Sequence, residues 1–186
     1  MQKKSVILGL SLVITLLFLA VSTLNTQAAV TVDAVNYEIE ISGGVYDLDE
    51  IWADASVNDT HLVNGTDGTW LWNWSLVVDA DATFDPSQGI TECTWIKLNA
   101  TNATGHDEAH ISVQGHAYFN DTMVTGWNYT GDCNFTYNGS YRPYIYILPT
   151  AHTDTPWASF KNCTIGYLGF DLDNKYGIEN AWIARK

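Results

Sequence analysis

The chain has 186 residues and a formal net charge of −13. That acidity excludes nucleic acid and anionic lipid as natural partners, because both present negative surfaces of their own. The length suits one domain with a core of ordinary size.

Lys3 and Lys4 precede an apolar run from Val6 to Val21, and Gln27-Ala28-Ala29 follows. A basic start, a short apolar core and small residues at the cut describe a secretory signal peptide over residues 1–29. The run also nears spanning length, so an uncleaved anchor is the competing reading. Cleavage removes both lysines of that segment and none of the acids, which takes the net charge from −13 to −15. No second run of spanning length follows, so no membrane insertion is expected after cleavage. The mature protein is expected to be secreted or held at the cell surface.

Tyr37 to Ile41 alternates apolar and polar residues and ends on Gly43-Gly44, the pattern of a strand and a turn. Asp47-Leu-Asp-Glu50 has capping-box spacing, with Leu48, Ile51 and Trp52 forming the apolar side of a short helix. Residues 30–68 read as an N-terminal cap and residues 69–186 as the coils it covers, since an open stack of strands exposes unpaired edges. From Trp70 to Phe84 every second residue is apolar, the period-2 signature of half-buried strands. The sixteen residues from Trp70 to Asp85 are long for one strand, so a bend is expected near Ser75.

Asp85 to Gly89 is a turn by composition, and Trp95 to Leu98 is a short strand. Leu76–Phe84 aligns without gaps on Ile111–Phe119 at an offset of 35, and Ala117–Trp127 aligns on Ala158–Leu168 at an offset of 41. The inward parity breaks at Asn120-Asp121-Thr122 and again at Lys161-Asn162-Cys163, marking equivalent corners. Tyr144 to Leu148 is a further strand, Pro149 to Pro156 an insertion, and Tyr176 to Ile183 the start of another strand. Units that cannot bury an apolar face alone stack into coils at such periods. The last strand has no polar cap after it, so a fragment of a longer stack is expected.

Asn-x-Ser/Thr occurs ten times: Asn58, Asn64, Asn73, Asn99, Asn102, Asn120, Asn128, Asn134, Asn138 and Asn162. That density reads as an N-glycosylated surface protein, against the plainer reading of Asn and Thr filling corners and outward strand positions. Of the three cysteines, Cys93 and Cys133 fall in loops of neighbouring units and form the favoured disulfide for an oxidising compartment. Cys163 aligns with Thr122 and reads as a small packed residue.

Asp47-Leu-Asp-Glu-Ile51, Gly68-Thr-Trp-Leu71, Ile111-Ser-Val-Gln-Gly115, Val124-Thr-Gly-Trp127 and Ile165-Gly-Tyr-Leu-Gly-Phe170 with Tyr176-Gly-Ile178 carry a resemblance. The chain resembles exported right-handed parallel β-helix proteins, and among them the microbial surface and periplasmic group of mannuronan C5-epimerase-like proteins. The resemblance spans most of residues 45–180 and implies an all-β, right-handed parallel β-helix with a short helical cap. Those epimerases use an Asp-Pro-His-Asp type motif, and here the only Asp-Pro is Asp85-Pro86-Ser87. No catalytic residue carries over, which points away from an enzyme within these residues.

His106-Asp-Glu-Ala-His110 lies in a loop and matches neither usual zinc-protease pattern, so no metal ligands are assigned. Asp171-x-Asp173-Asn174 offers the oxygen donors that calcium prefers, the one cofactor raised, without the glycine and distal glutamate of a helix-loop-helix site. With eight tryptophans, ten tyrosines and six phenylalanines, most aromatics must fill the core and cap. The outward or loop-side ones, Tyr118, Trp127, Tyr144 and Tyr146, with His116, are the candidate sugar-binding residues. Three functions follow: a non-catalytic module whose partner is a polysaccharide or surface glycan, the N-terminal part of a uronate epimerase or lyase, and a structural stalk of the envelope.

Overall fold

Ile39 and Ile41, alternating with Glu38 and Glu40, are fully buried on a strand whose polar residues face outward. In this computed structural model, residues 28–54, 56–57, 59–65, 67–89, 93–100, 109–128, 132–134, 143–148, 155–168 and 178–180 are described. Residues 1–27 of the signal segment, His106, the Asp171–Asn174 stretch and the sequons at Asn58, Asn102 and Asn138 lie outside them.

The first pass of the chain runs through β1 (Ala29–Asp33), β2 (Glu38–Ser42), β3 (Val45–Tyr46), α1 (Leu48–Ala53), β4 (Leu62–Asn64) and β5 (Thr69–Trp72). The second holds β6 (Ser75–Val78), β7 (Thr83–Phe84) and β8 (Trp95–Asn99). The third holds β9 (Ile111–Val113), β10 (His116–Asn120), β11 (Met123–Asn128) and β12 (Cys133–Asn134). Then come β13 (Ile145–Ile147), β14 (Trp157–Lys161), β15 (Thr164–Gly166) and β16 (Ile178–Asn180).

Each pass places at least one strand in each of three sheets. Sheet A runs β1-β2-β6-β9-β13-β16, sheet B runs β14-β10-β7-β3, and sheet C runs β12-β11-β8-β5-β4 with β15 also on β11. Strands of successive passes pair in parallel: Leu76 on Ile111, Ile111 on Ile145, Phe119 on Phe160, Val124 on Ile165. The antiparallel pairs are β1 on β2, β4 on β5 and β12 on β11. The result is an all-β, β-helix-like chain whose sheets share one apolar core. No helix among the described residues is long and apolar enough to cross a membrane.

The 41-residue offset is the stacking register itself in sheets B and C. The 35-residue offset holds only in sheet A. In sheet B, Phe84 pairs with Ala117 and not with Phe119. The cause is corner length: residues 79–82 separate β6 from β7, whereas Gln114 and Gly115 alone separate β9 from β10. At the next corner, Asp121 and Asn162 both take a left-handed backbone (φ 51 and 55), a conformation that Asn and Asp tolerate best after glycine. The Asn162 Nδ2 donates to Asp121 Oδ1 at 3.0 Å, so the two turns are also bonded to each other.

Parallel stacking begins earlier than the cap boundary at residue 69, because β2 and β3 already pair with β6 and β7. Within that first pass the capping box forms: Asp47 accepts from the Glu50 N–H at 2.7 Å and Glu50 from the Asp47 N–H at 3.1 Å. Leu48 and Ile51 are buried in the core, but Trp52 is 39% exposed and donates its indole N–H to Asp59. Replacing Asp47 by alanine leaves the first-turn donors unmet and is expected to cost about 1 kcal/mol in urea unfolding. A loss under about 0.3 kcal/mol would show that packing of Leu48 and Ile51 alone holds the turn.

Candidate functional site

With the inward positions filled by core residues, chemistry must come from the outer faces. On sheet B the alternation that buries Ala117 and Phe119 turns His116, Tyr118 and Asn120 outward. The register then aligns Val45, Thr83, His116 and Trp157 in one row across four strands. Trp157 is 36% exposed and Val45 56% exposed. The Trp157 ring lies 5.0 Å from His116, tilted by 42°, and 4.6 Å from Tyr118, edge-on at 84°. Two of the sequence candidates, His116 and Tyr118, therefore meet on a third aromatic that the sequence reading passed over. The signal was present: Ala158 aligns on Ala117, so the residue before it must stand on His116.

Trp127 has a different fate, and its assignment as a sugar platform is corrected. It lies on the outer face of sheet C but is only 8% exposed. Trp95 packs against it at 5.1 Å and 86°, and the Lys97 ammonium sits 3.6 Å from the Trp127 ring centre and 4.2 Å from that of Trp95. The ring faces are taken by the protein's own cation. Burial holds the Lys97 pKa below its usual value, with the Asp132 carboxylate pulling the other way. The Trp95 indole N–H donates to Thr125 Oγ1 at 2.8 Å, which fixes the pair.

Tyr144 and Tyr146 belong to sheet A, apart from the sheet B row. Tyr146 is outward on β13 beside Ser112. Tyr144 stacks flat on His110 at 4.7 Å and 3°. His110, read from sequence as part of a loop pair, has its Nδ1 2.8 Å from Ser75 Oγ, while its backbone N–H donates to the same oxygen at 3.2 Å. The Ser75 hydroxyl thus holds both the backbone and the ring of His110, and the arrangement orders a column of side chains. At the start of this face burial raises the pKa of Glu38, and the neighbouring Asp33 and Glu40 charges add to the rise. Among the described residues no group of three or more His, Cys, Asp or Glu is placed to hold a metal ion.

The Cys93–Cys133 pairing is also corrected. Cys133 pairs with Asn128 at one end of β11, while Thr94 and Trp95 lie by Met123 at the other. At about 3.3 Å per residue the two cysteines are roughly 20 Å apart along the sheet, far beyond the reach of a disulfide. Cys93 is a buried free thiol, pushed up to about 12 by burial. Cys163, free and half-buried, donates to the Phe119 carbonyl at 2.9 Å.

The sequons differ in what their amides do. Asn73 donates Nδ2 to the Thr60 carbonyl at 2.9 Å and accepts from Asn99 Nδ2 at 3.0 Å, so two sequon asparagines form one ladder. Asn162 is exposed at its corner, and Asn64, Asn120 and Asn128 are half-buried. The Asn134 side chain lies outside the described residues.

No family model and no curated protein matches this chain. Its likeness is to solved structures. The periplasmic alginate epimerase AlgG superposes with a TM-score of 0.59 at 15% identity, over 76% of this chain and 30% of the enzyme. A variant of that enzyme gives a TM-score of 0.58 at 16% identity over the same shares. At such identity the likeness shows a shared β-helix-like fold, and the chain spans about 30% of the length of the enzyme.

Proposed function

We propose that this chain is part of an exported, N-glycosylated, right-handed parallel β-helix that binds polysaccharide at the cell surface without transforming it. The site is the outer face of sheet B at His116, Tyr118 and Trp157. The observation that carries the reading is the exposed Trp157 ring, held by two neighbouring rings on a rigid strand. Exposed aromatics fixed in place mark binding surfaces, and a flat apolar ring suits the C–H faces of sugars. The fold shared with a periplasmic alginate epimerase supports a polysaccharide as the partner.

A second reading, that the chain is one portion of a polysaccharide-modifying enzyme, rests on the same likeness, in which the chain matches 30% of an epimerase. Binding and turnover distinguish the two. Trp157→Ala is expected to weaken polysaccharide binding at least about tenfold in affinity electrophoresis, or 1.4 kcal/mol. Its unfolding midpoint should stay near that of the parent, since the ring is partly exposed. Unchanged affinity would overturn the site, and conversion of a uronate polymer by the chain would favour the second reading.

A further inference from the structure

We infer that the polysaccharide taken by the sheet B face is uncharged. This rests on the proposed function and adds the class of sugar to it. A polyuronate carries a carboxylate on every ring and needs cations spaced along its path. The row Val45, Thr83, His116, Trp157, with Tyr118, Ser159 and Asn120 beside it, supplies an apolar ring, hydroxyls, an amide and an imidazole. Its single lysine is Lys161, at the far end of β14.

Nor can cations arrive from elsewhere among the described residues. There the only other Lys or Arg is Lys97, which is on sheet C with its ammonium against two indole rings. Around the row stand acids. Asp121 forms the corner after β10, Asp85 follows β7, and Asp81 precedes it, accepting from the Gly43 N–H. The whole chain carries −13. A polyanion approaching this face meets repulsion from these acids within a Debye length of about 8 Å at physiological salt, relieved only beside Lys161. A neutral glycan meets none. It can stack a ring on Trp157 and hydrogen-bond to Tyr118, Ser159, Asn120 and His116 on strands about 4.8 Å apart.

The test compares the full chain and its Trp157→Ala variant on two probes of matched length, a neutral β-glucan and a polygalacturonate. Binding is measured at about 20 mM and about 200 mM salt, to separate contact from screened charge. The expected result is neutral-glycan binding that changes little with salt and falls about tenfold or more in the variant. Polygalacturonate should bind at least about tenfold more weakly than the neutral polymer. Trp157-dependent polygalacturonate binding of equal strength would overturn this inference and leave the polysaccharide site standing. Binding of neither polymer, or binding indifferent to Trp157→Ala in a variant that unfolds like the parent, would overturn the site itself.

Discussion

Replacing Phe119 by alanine is expected to destabilise the chain by about 3–5 kcal/mol, measured by urea unfolding. Phe119 is fully buried, 5.9 Å from Phe84 at 72° and 5.0 Å from Phe160 at 3°. Trp72 lies 6.3 Å from Phe84 on the other side. One aromatic per pass thus forms a column through the core. Where each unit touches only its neighbours, truncating a central member damages two interfaces and truncating a terminal one damages a single interface. Each aromatic contact adds about 0.5–1.5 kcal/mol beyond burial. Phe160 ends the column among the described residues and is half-buried. Its alanine variant is therefore expected to lose about half as much, on the area it removes from water. Equal losses at the two positions would show that Phe160 is covered as fully as Phe119.

That column also shows what was legible in the sequence. Trp72, Leu76, Val78, Ala82 and Phe84 share one parity, and all are buried, although they are spread over three strands and one corner and the run crosses a second corner. The parity survives because the corners, residues 73–74 and 79–82, contain even numbers of residues, so the inward phase resumes after each. Pairing register is a separate matter, set by corner length, and there the 35-residue offset fails by two. A slip of two leaves inward residues inward, which is why the core was readable while the partner of Phe84 was not.

The outer faces were readable only where the repeat reached them. His116 and Tyr118 follow from alternation, and Trp157 would have followed from extending the second alignment by one residue. The burial of Trp127 could not be foreseen. It depends on Trp95 and Lys97, which lie about thirty residues away and reach it only through the register of β8 on β11. The cysteines misled for the same reason: loops of neighbouring units lie at opposite ends of the same strand pair. Local pattern carries the direction of a side chain, and only the stack decides its neighbours.

Gly115→Ala is the second large effect, again expected to cost about 3–5 kcal/mol, from overpacking together with weakened backbone bonds. Gly115 forms the two-residue corner between β9 and β10 and lies directly on the longer corner of the pass below. A methyl group there would overlap the carbonyl oxygens of Asp79 and Ala82, backbone atoms that no rotamer change can move aside. The same contact is bonded on both sides: Gln114 N–H donates to Val78 O at 2.8 Å and His116 N–H to Ala82 O at 3.0 Å. Relieving the overlap must stretch those bonds, and His116 opens the strand that holds the proposed site. Gly166, on β15, is the matched control, because a methyl group there meets nothing within 4 Å. Gly166→Ala is expected to stay within about 0.5 kcal/mol of the parent. If the two variants unfold within about 1 kcal/mol of each other, the corners do not touch as closely as the Gly115 contacts require.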